Sequence, residues 1–169
     1  LKNFLLYWMG NEMGIRAPED VNVMPVSVPV ASQILHAVGV AWAAKLSGDK
    51  AVALTFFGDG ATSKGDFHEA MNFAGVFKAP TIFFCQNNQF AISVPRRIQT
   101  ASQTIAQKAV AYGIDGIQVD GNDLLAMIVA AREAAGPSAR EVVGGVPVEL
   151  RVVEEELDPL LPAGLGPHL

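Results

Sequence analysis

The sequence predicts a doubly wound α/β fold, with a mostly parallel sheet and helices on both faces. Short continuous apolar runs alternate along the chain with longer segments whose apolar residues recur at the period of a helix. Continuous apolar runs are typical of strands that are buried on both faces, as parallel strands are. Loops rich in Gly and Asn follow two of these runs. Because such sheets bind ligands at the carboxyl ends of their strands, these loops are the candidate site.

The first part of the chain predicts two helices joined by an irregular segment. LKNFLLYWMGNEMG has apolar residues at helical spacing, and a segment with three prolines follows it. The second predicted helix is SQILHAVGVAWAAKLSG, which Ser32 can cap and which ends before Gly48.

The middle of the chain predicts a strand–helix–strand unit. AVALTFF at residues 51–57 is the first buried strand, DFHEAMNFAGVFK is a helix that ends before Pro80, and TIFFCQ is the second strand. Connections of this kind are right-handed crossovers in nearly all proteins. The two strands are therefore predicted to be parallel neighbours.

The remaining segments continue the alternation of helices and strands. TIAQKAVAYG predicts a helix, GIQVDG a third strand, NDLLAMIVAAREAAG a helix, and VPVELRVV at residues 146–153 a fourth strand. The carboxyl ends of the first three strands are then predicted at residues 58–60, 87–90 and 120–122.

Composition narrows the classes of function. The 169 residues carry a net charge of −5 without a basic block, which argues against a nucleic-acid partner. No apolar stretch is long enough for a membrane span. The single cysteine, Cys85, indicates a reducing compartment. A negatively charged protein that binds phosphate needs a cation to offset repulsion, and a metal ion is the usual solution.

The stretch FFGDGATSKGDFHEA is the main candidate for phosphate binding. It fails the dinucleotide fingerprint, because Ser63 stands where the third glycine is needed. It fails the P-loop pattern too, because Asp66 replaces the lysine. A third interpretation has Gly58 and Gly60 bring backbone N–H groups close to the anion, while Asp59 binds a divalent cation that in turn binds the phosphate.

A second cation ligand is predicted at the end of the neighbouring strand. QNNQF lies there, and Asn87 and Asn88 supply amide oxygens. Gly-Asp-Gly alone is often only a turn, and Asn-Asn is often a turn or a cap, so each signal has a purely structural alternative. The two together, across one crossover unit, predict a site for a diphosphate and a metal ion.

These segments closely resemble a known family. GDGATSKGDFHEAMNFAGVFKAPTIFFCQNNQFAIS, PVASQILHAVGVAWAAK and YGIDGIQVDGNDLLAM resemble the alpha subunit of the decarboxylating component of 2-oxo acid dehydrogenase complexes, whose Gly-Asp-Gly and Asn-Asn form a thiamin diphosphate motif. The resemblance covers residues 5–135 and is greatest to the branched-chain 2-oxoisovalerate type, with the pyruvate type close. It implies a thiamin diphosphate-binding fold.

The resemblance implies a set of binding residues. Magnesium would be held by the side chains of Asp59 and Asn88 and by the carbonyl of Phe90. The remaining cofactor contacts would be the backbone of Gly58, Gly60 and Ala61 around the diphosphate, Ile92 against the cofactor, and Val28 and Val30 along the aminopyrimidine. A potassium ion is expected near Ser27, Pro29, Ser32 and Gln33.

The implied activity is oxidative decarboxylation of a branched-chain 2-oxo acid, with acyl transfer to the lipoyl group of a partner acyltransferase. Pyruvate and acetoin dehydrogenase alpha subunits are the alternatives. The family works as an α2β2 heterotetramer and places the glutamate of the proton relay on the beta subunit. No catalytic residue is therefore assigned in this chain. The expected location is the bacterial cytoplasm. The mitochondrial matrix is the alternative if the protein is eukaryotic.

Two domains are predicted. Residues 1–135 form a thiamin diphosphate-binding domain that is incomplete at its N-terminus, and residues 136–169 form a divergent or truncated tail. The chain begins without Met inside a predicted helix, so it is expected to be a fragment. The family's loop of catalytic histidines is not recognised in the tail. A non-catalytic remnant that only folds or assembles is therefore a second hypothesis.

Overall fold

The computed structural model describes residues 2–17, 19–140 and 151–156, with the backbone alone described at 136–140 and 151–156. The chain divides into two compact units, residues 1–30 and residues 31–169. The predicted tail, residues 136–169, lies largely outside the described residues. The predicted division at residue 135 therefore stays a prediction.

The first unit is a short helix followed by a 3₁₀ turn. Helix α1 spans Lys2–Trp8 and the turn spans Glu12–Ile15. Gly10 adopts φ +77° between them, a conformation that ends helices and favours glycine. Asn11 Oδ1 then accepts a hydrogen bond from the Met13 N–H at 2.9 Å and caps the turn. The observed helix α1 is therefore shorter than the helix predicted for this segment.

The second unit is built on four parallel strands. In chain order they are β1 (Ala53–Gly58), β2 (Thr81–Asn87), β5 (Asp115–Asp120) and β6 (Arg151–Glu156), and their order in the sheet is β1-β2-β6-β5. Gly58 pairs with Gln86, so the first two strands end side by side. The prediction of a parallel sheet is confirmed.

Helices cover both faces of this sheet. Helices α2 (Ser32–Leu46) and α3 (Gly65–Phe77) belong to one buried cluster, and α6 (Leu124–Arg140) belongs to the other. Strand β2 alternates between them, since Phe83 and Cys85 join the first cluster whereas Ile82 and Phe84 join the second. Each fully buried Phe or Ile contributes about 1.5–3 kcal/mol. Within the described residues, no helix is both long and apolar enough to cross a membrane.

Three local elements differ from the predicted ones. The helix predicted at residues 104–113 is the single turn α5 (Gln107–Val110), after which Gly113 takes φ +66°. The strand predicted at 146–153 overlaps strand β6 at residues 151–153, and its first part, residues 146–150, lies outside the described residues. A hairpin, β3 (Phe90–Ala91) and β4 (Val94–Pro95), and the turn α4 (Arg96–Gln99) were not predicted.

The loop after α5 packs directly on α3 at Gly75. A Cβ placed on Gly75 would overlap the carbonyl oxygen of Tyr112. We expect Gly75→Ala to lower the free energy of unfolding by about 1–3 kcal/mol, because the core must shift to admit the methyl group. Chemical denaturation measures this change.

Gly39→Ala is the matched control for this substitution. Gly39 lies within α2, and a Cβ added there would meet no heavy atom within 4 Å. Alanine is about 1 kcal/mol better than glycine inside a helix, so this variant should be as stable as the parent or more stable. Equal unfolding midpoints for the two variants would contradict the close contact at Gly75.

Candidate functional site

The predicted phosphate and metal residues lie where β1 and β2 end. Asp59 directly follows β1, and Asn87 is the last residue of β2. Since the two strands are parallel neighbours with Gly58 beside Gln86, the loops that follow them leave the sheet at the same edge. The structure thus brings together the two sequence signals, Gly-Asp-Gly and Asn-Asn.

Asp59 begins a buried 3₁₀ helix, Asp59–Ser63, called here the Asp59 turn. The residue is 2% exposed. Burial raises the pKa of the Asp59 carboxyl, because its charged form loses hydration. The Gln99 amide, the backbone N–H groups of Asp59 and Gly60, and the positive charge of Arg96 act in the opposite direction. A bound cation would add to this opposition and favour the carboxylate.

Gly60 allows the Asp59 turn to approach the hairpin. A Cβ on Gly60 would lie 2.6 Å from the Cβ of Ala91, closer than two carbon atoms can pack. A Cβ added to Gly58 would have the carbonyl oxygen of Gln86 as its nearest neighbour, at an ordinary 3.9 Å. Gly60 is therefore required by its surroundings, whereas Gly58 is not required by packing.

The two asparagines have different environments. Asn87 is 1% exposed, and its Oδ1 accepts a hydrogen bond from the Gln89 N–H at 3.1 Å. Asn88 is exposed, and its Oδ1 accepts from the Phe90 N–H at 3.0 Å. Both are side-chain turns that shape the loop. Asn88, the predicted metal ligand, is thus the exposed one of the two asparagines.

The hairpin after this loop presents Ile92 at its tip. Phe90 pairs with Pro95 and Ala91 with Val94, which leaves Ile92 and Ser93 as a two-residue loop. Ile92 is fully exposed and adopts φ +59°. A β-branched residue in this region costs about 1–3 kcal/mol and is a sign of a functional position. An apolar side chain held outward in this way fits the expected contact with a cofactor.

Gln99 and Arg96 contribute to the site, although no motif in the sequence marks either of them. Gln99 Nε2 donates to Asp59 Oδ2 at 3.2 Å and to the Val94 carbonyl at 2.9 Å. Arg96 Nε donates to Gln89 Oε1 at 3.0 Å. Its two terminal nitrogens donate to the carbonyl oxygens of Ser102 and Gln103 at 3.1 and 2.6 Å. Gln99 thus links the hairpin to the Asp59 turn, and Arg96 links Gln89 to the segment at Ser102 and Gln103.

Lys108 fastens the far end of the Asp59 turn. Its Nζ donates to Thr62 Oγ1 at 2.9 Å and to the Thr62 carbonyl at 3.2 Å. Thr62 Oγ1 in turn donates to the Asp59 carbonyl at 2.8 Å. An open cleft of about 590 Å³ borders this network. The turn that carries Asp59 is therefore held from both sides.

The other predicted residues stay predictions. Val28 and Val30, with Ser27 and Pro29, belong to the first unit, whereas Ser32 and Gln33 begin α2 in the second. Gln33 Nε2 donates to the Phe56 carbonyl at 3.0 Å. Among the described residues, no three His, Cys, Asp or Glu side chains form a metal cluster. The predicted ligand set does not need one, because it combines one carboxylate, one amide and one carbonyl.

The chain matches one family model and is similar to several curated proteins. A family model described as "Dehydrogenase E1 component" matches residues 1–150. The chain is similar to three proteins named pyruvate dehydrogenase E1 component subunit alpha. These are from Staphylococcus aureus strain Mu50 (45% identical, 99% of this chain, 44% of the relative), Bacillus cereus (51%, 82%, 39%) and Acholeplasma laidlawii (50%, 79%, 39%). The chain thus spans less than half the length of these curated relatives.

Solved structures support the fold. A transketolase from Leishmania mexicana matches 91% of this chain and 26% of its own length, with a TM-score of 0.62 and 21% identity. A putative thiamin diphosphate-dependent enzyme from Mycobacterium smegmatis matches 74% of this chain and 22% of its own length, with a TM-score of 0.52 and 18% identity. At these identities the likeness shows the fold alone.

Proposed function

Because the chain belongs to the dehydrogenase E1 component family, we propose that it is part of the alpha subunit of a thiamin diphosphate-dependent 2-oxo acid dehydrogenase. One observation of the structure carries this proposal. Asp59 is a buried carboxylate at the carboxyl end of a parallel strand, next to a glycine whose Cβ would not fit. That arrangement suits a metal ion that bridges the protein to a diphosphate.

The residues around Asp59 fit magnesium and a diphosphate. The metal would be held by the carboxylate of Asp59, the side-chain oxygen of Asn88 and the carbonyl of Phe90. All three are hard oxygen ligands, which magnesium prefers. Backbone groups of Gly58, Gly60 and Ala61 would face the diphosphate. When bound, thiamin diphosphate supplies the electron sink for decarboxylation.

This chain's own part would be to bind and orient the cofactor. Asp59 would fix the metal, and the absence of a side chain at Gly60 lets the Asp59 turn and the hairpin meet closely. Ile92 would offer its exposed side chain to the cofactor, and Val28 and Val30 would lie along the aminopyrimidine. No acid or base for the reaction is assigned in this chain.

Pyruvate is the substrate that we propose to test first. The resemblance of the sequence motifs favoured a branched-chain 2-oxo acid, but the names of the similar curated proteins give no support for that preference. Those names specify pyruvate dehydrogenase. Branched-chain 2-oxo acids and acetoin are the alternative substrates, to be tested after pyruvate.

The proposal extends to partners and location. A beta subunit would complete an α2β2 heterotetramer, and a lipoyl-bearing acyltransferase would accept the acyl group. The similar proteins come from bacteria, which supports a bacterial cytoplasmic location. These statements concern the whole protein. The matched relatives are more than twice as long as this chain.

Binding and turnover with the beta subunit test the proposed function. The chain is co-expressed with the beta subunit, and thiamin diphosphate binding is measured by calorimetry with Mg²⁺ and with a chelator. We expect binding that requires Mg²⁺, and decarboxylation of pyruvate at least about tenfold faster than that of 3-methyl-2-oxobutanoate, about 1.4 kcal/mol. Absence of binding would refute the proposal, faster branched-chain turnover would reverse the substrate order, and binding without turnover would support the non-catalytic remnant.

A further inference from the structure

Gln99 makes a set of contacts that neither the motif nor the family match accounts for. Its Nε2 donates at once to Asp59 Oδ2 and to the Val94 carbonyl. Its Oε1 lies 3.5 Å from Ser63 Oγ, at the other end of the Asp59 turn. Two acceptors at Nε2 settle which end of the amide faces Asp59, because only the NH₂ group can donate to both.

The Gln99 side chain therefore holds Asp59 from a defined direction. Gln99 is the last residue of α4, and α4 follows the hairpin immediately. The same amide group contacts β4 through Val94, so movement of the hairpin would move the donor away from Asp59. A carboxylate must point in one direction to ligate a metal, and a hydrogen bond from a neighbouring side chain is the usual means of fixing it.

The donor to Asp59 is neutral, and this matters for a cation. A Lys or Arg in the same place would steady the buried carboxylate too, but its positive charge would compete with a metal ion. Arg96 is close enough for its charge to act on Asp59. Its guanidinium, however, donates to Gln89, Ser102 and Gln103.

We propose that Gln99 is a positioning residue for the divalent cation: its neutral amide orients the Asp59 carboxylate toward the metal without competing for its charge. The inference rests on the proposed function, since it requires a metal at Asp59. It adds a role for a residue outside the predicted ligand set. It also predicts that donor strength and donor charge have separate effects on metal affinity.

Two substitutions separate these effects. Gln99→Met keeps the length of the side chain but removes the donor, and Gln99→Lys keeps a donor but adds positive charge. Removing a residue that supports a metal ligand typically weakens metal affinity 10- to 100-fold. We expect Gln99→Met to weaken Mg²⁺ binding about tenfold. Gln99→Lys should weaken it further, while its metal-free melting temperature stays at or above that of the parent.

The measurement is metal binding to the assembly with the beta subunit at saturating thiamin diphosphate. Mg²⁺ affinity is measured by calorimetry. Mn²⁺ serves as a paramagnetic probe, and its electron paramagnetic resonance spectrum reports the symmetry of the metal site. Gln107→Met is the matched control, since Gln107 Oε1 accepts from the backbone of Gln103 and Thr104 rather than from a site residue. Its metal affinity and spectrum should match those of the parent.

The outcomes separate this inference from the proposed function. Parent-like metal affinity in Gln99→Met, or in Gln99→Lys, would overturn the role of Gln99 even if Asp59 is confirmed as a ligand. A loss of affinity that merely follows the loss of melting temperature across the variants would show a structural role alone. If the parent assembly shows no Mg²⁺-dependent cofactor binding, the proposed function itself fails.

Discussion

Replacing Asp59 by Asn is expected to weaken Mg²⁺-dependent binding of thiamin diphosphate by about 100-fold or more. The substitution keeps the shape of the side chain and removes its charge, and the lost charge-assisted contact of about 3 kcal/mol corresponds to a factor of this size. Calorimetry on the assembly with the beta subunit measures the effect. Asp120→Asn is the matched control, because Asp120 is an exposed carboxylate at the end of strand β5, which lies at the other end of the strand order from β1.

The same variant should have the opposite effect on the metal-free fold. Burial raises the pKa of Asp59, so the folded protein binds a proton more tightly than the unfolded chain does. The carboxylate therefore destabilises the fold at neutral pH, and this cost disappears as the pH falls through the raised pKa toward the ordinary range of aspartate. We expect metal-free Asp59→Asn to melt above the parent at pH 7, with a gap that narrows as the pH is lowered.

The combination of weaker cofactor binding and higher metal-free stability is specific to a buried ligand. Lower stability together with weaker binding would indicate that Asp59 supports the turn instead. If Asp59→Asn binds the cofactor as tightly as Asp120→Asn does, Asp59 is not a ligand in the site.

Gly60→Ala is the second substitution with a large expected effect. Its methyl group would lie 2.6 Å from the Cβ of Ala91, so either the Asp59 turn or the hairpin must move. We expect a loss of about 1–3 kcal/mol in the free energy of unfolding. Cofactor binding should be lost as well, since the displaced elements carry Asp59 and Phe90. Thermal unfolding and calorimetry measure the two effects.

A double substitution tests the cause of that loss. Removing the Ala91 side chain, in Gly60→Ala/Ala91→Gly, leaves Ala91 Cα at 3.4 Å and Gln99 Oε1 at 3.8 Å as the nearest atoms to the new methyl group. Stability and binding should largely return. Gly65→Ala, where nothing lies within 4 Å of the added carbon, serves as the single-site control. A double variant as impaired as Gly60→Ala would show that the contact with Ala91 is not the reason.

The parts of the fold that the sequence predicted are those with local signals. Strands β1 and β2 were visible as continuous apolar runs, and α3 as an apolar stripe at helical spacing, because burial on two faces or on one leaves a direct pattern. Asp59 and Asn88 were recognisable because each lies in a short motif at the end of such a run. These elements needed no knowledge of distant contacts.

The supporting residues could not be predicted in this way. The hydrogen bond from Gln99 to Asp59 spans 40 positions, and that from Lys108 to Thr62 spans 46. Such contacts depend on how the hairpin folds back, and nothing local marks it. Its strands are two residues each, and its tip has Ile92 where hairpin turns favour Gly or Asn. The helix predicted at residues 104–113 was too long, because its helical pattern continues into a loop that packs on Gly75.

The position of β6 has a consequence for the order in which the sheet can form. It is the last described strand in the chain, yet it lies between β2 and β5 and pairs with both. During synthesis, β1, α3 and β2 are complete first, but among the described strands β5 has no neighbour in the sheet until residues 151–156 have followed it. Until then two strand edges stay open to unwanted pairing. Among the described strands, the half of the sheet that carries Asp59 and Asn88 can therefore pair before β6 is made, whereas β5 joins the sheet only through β6.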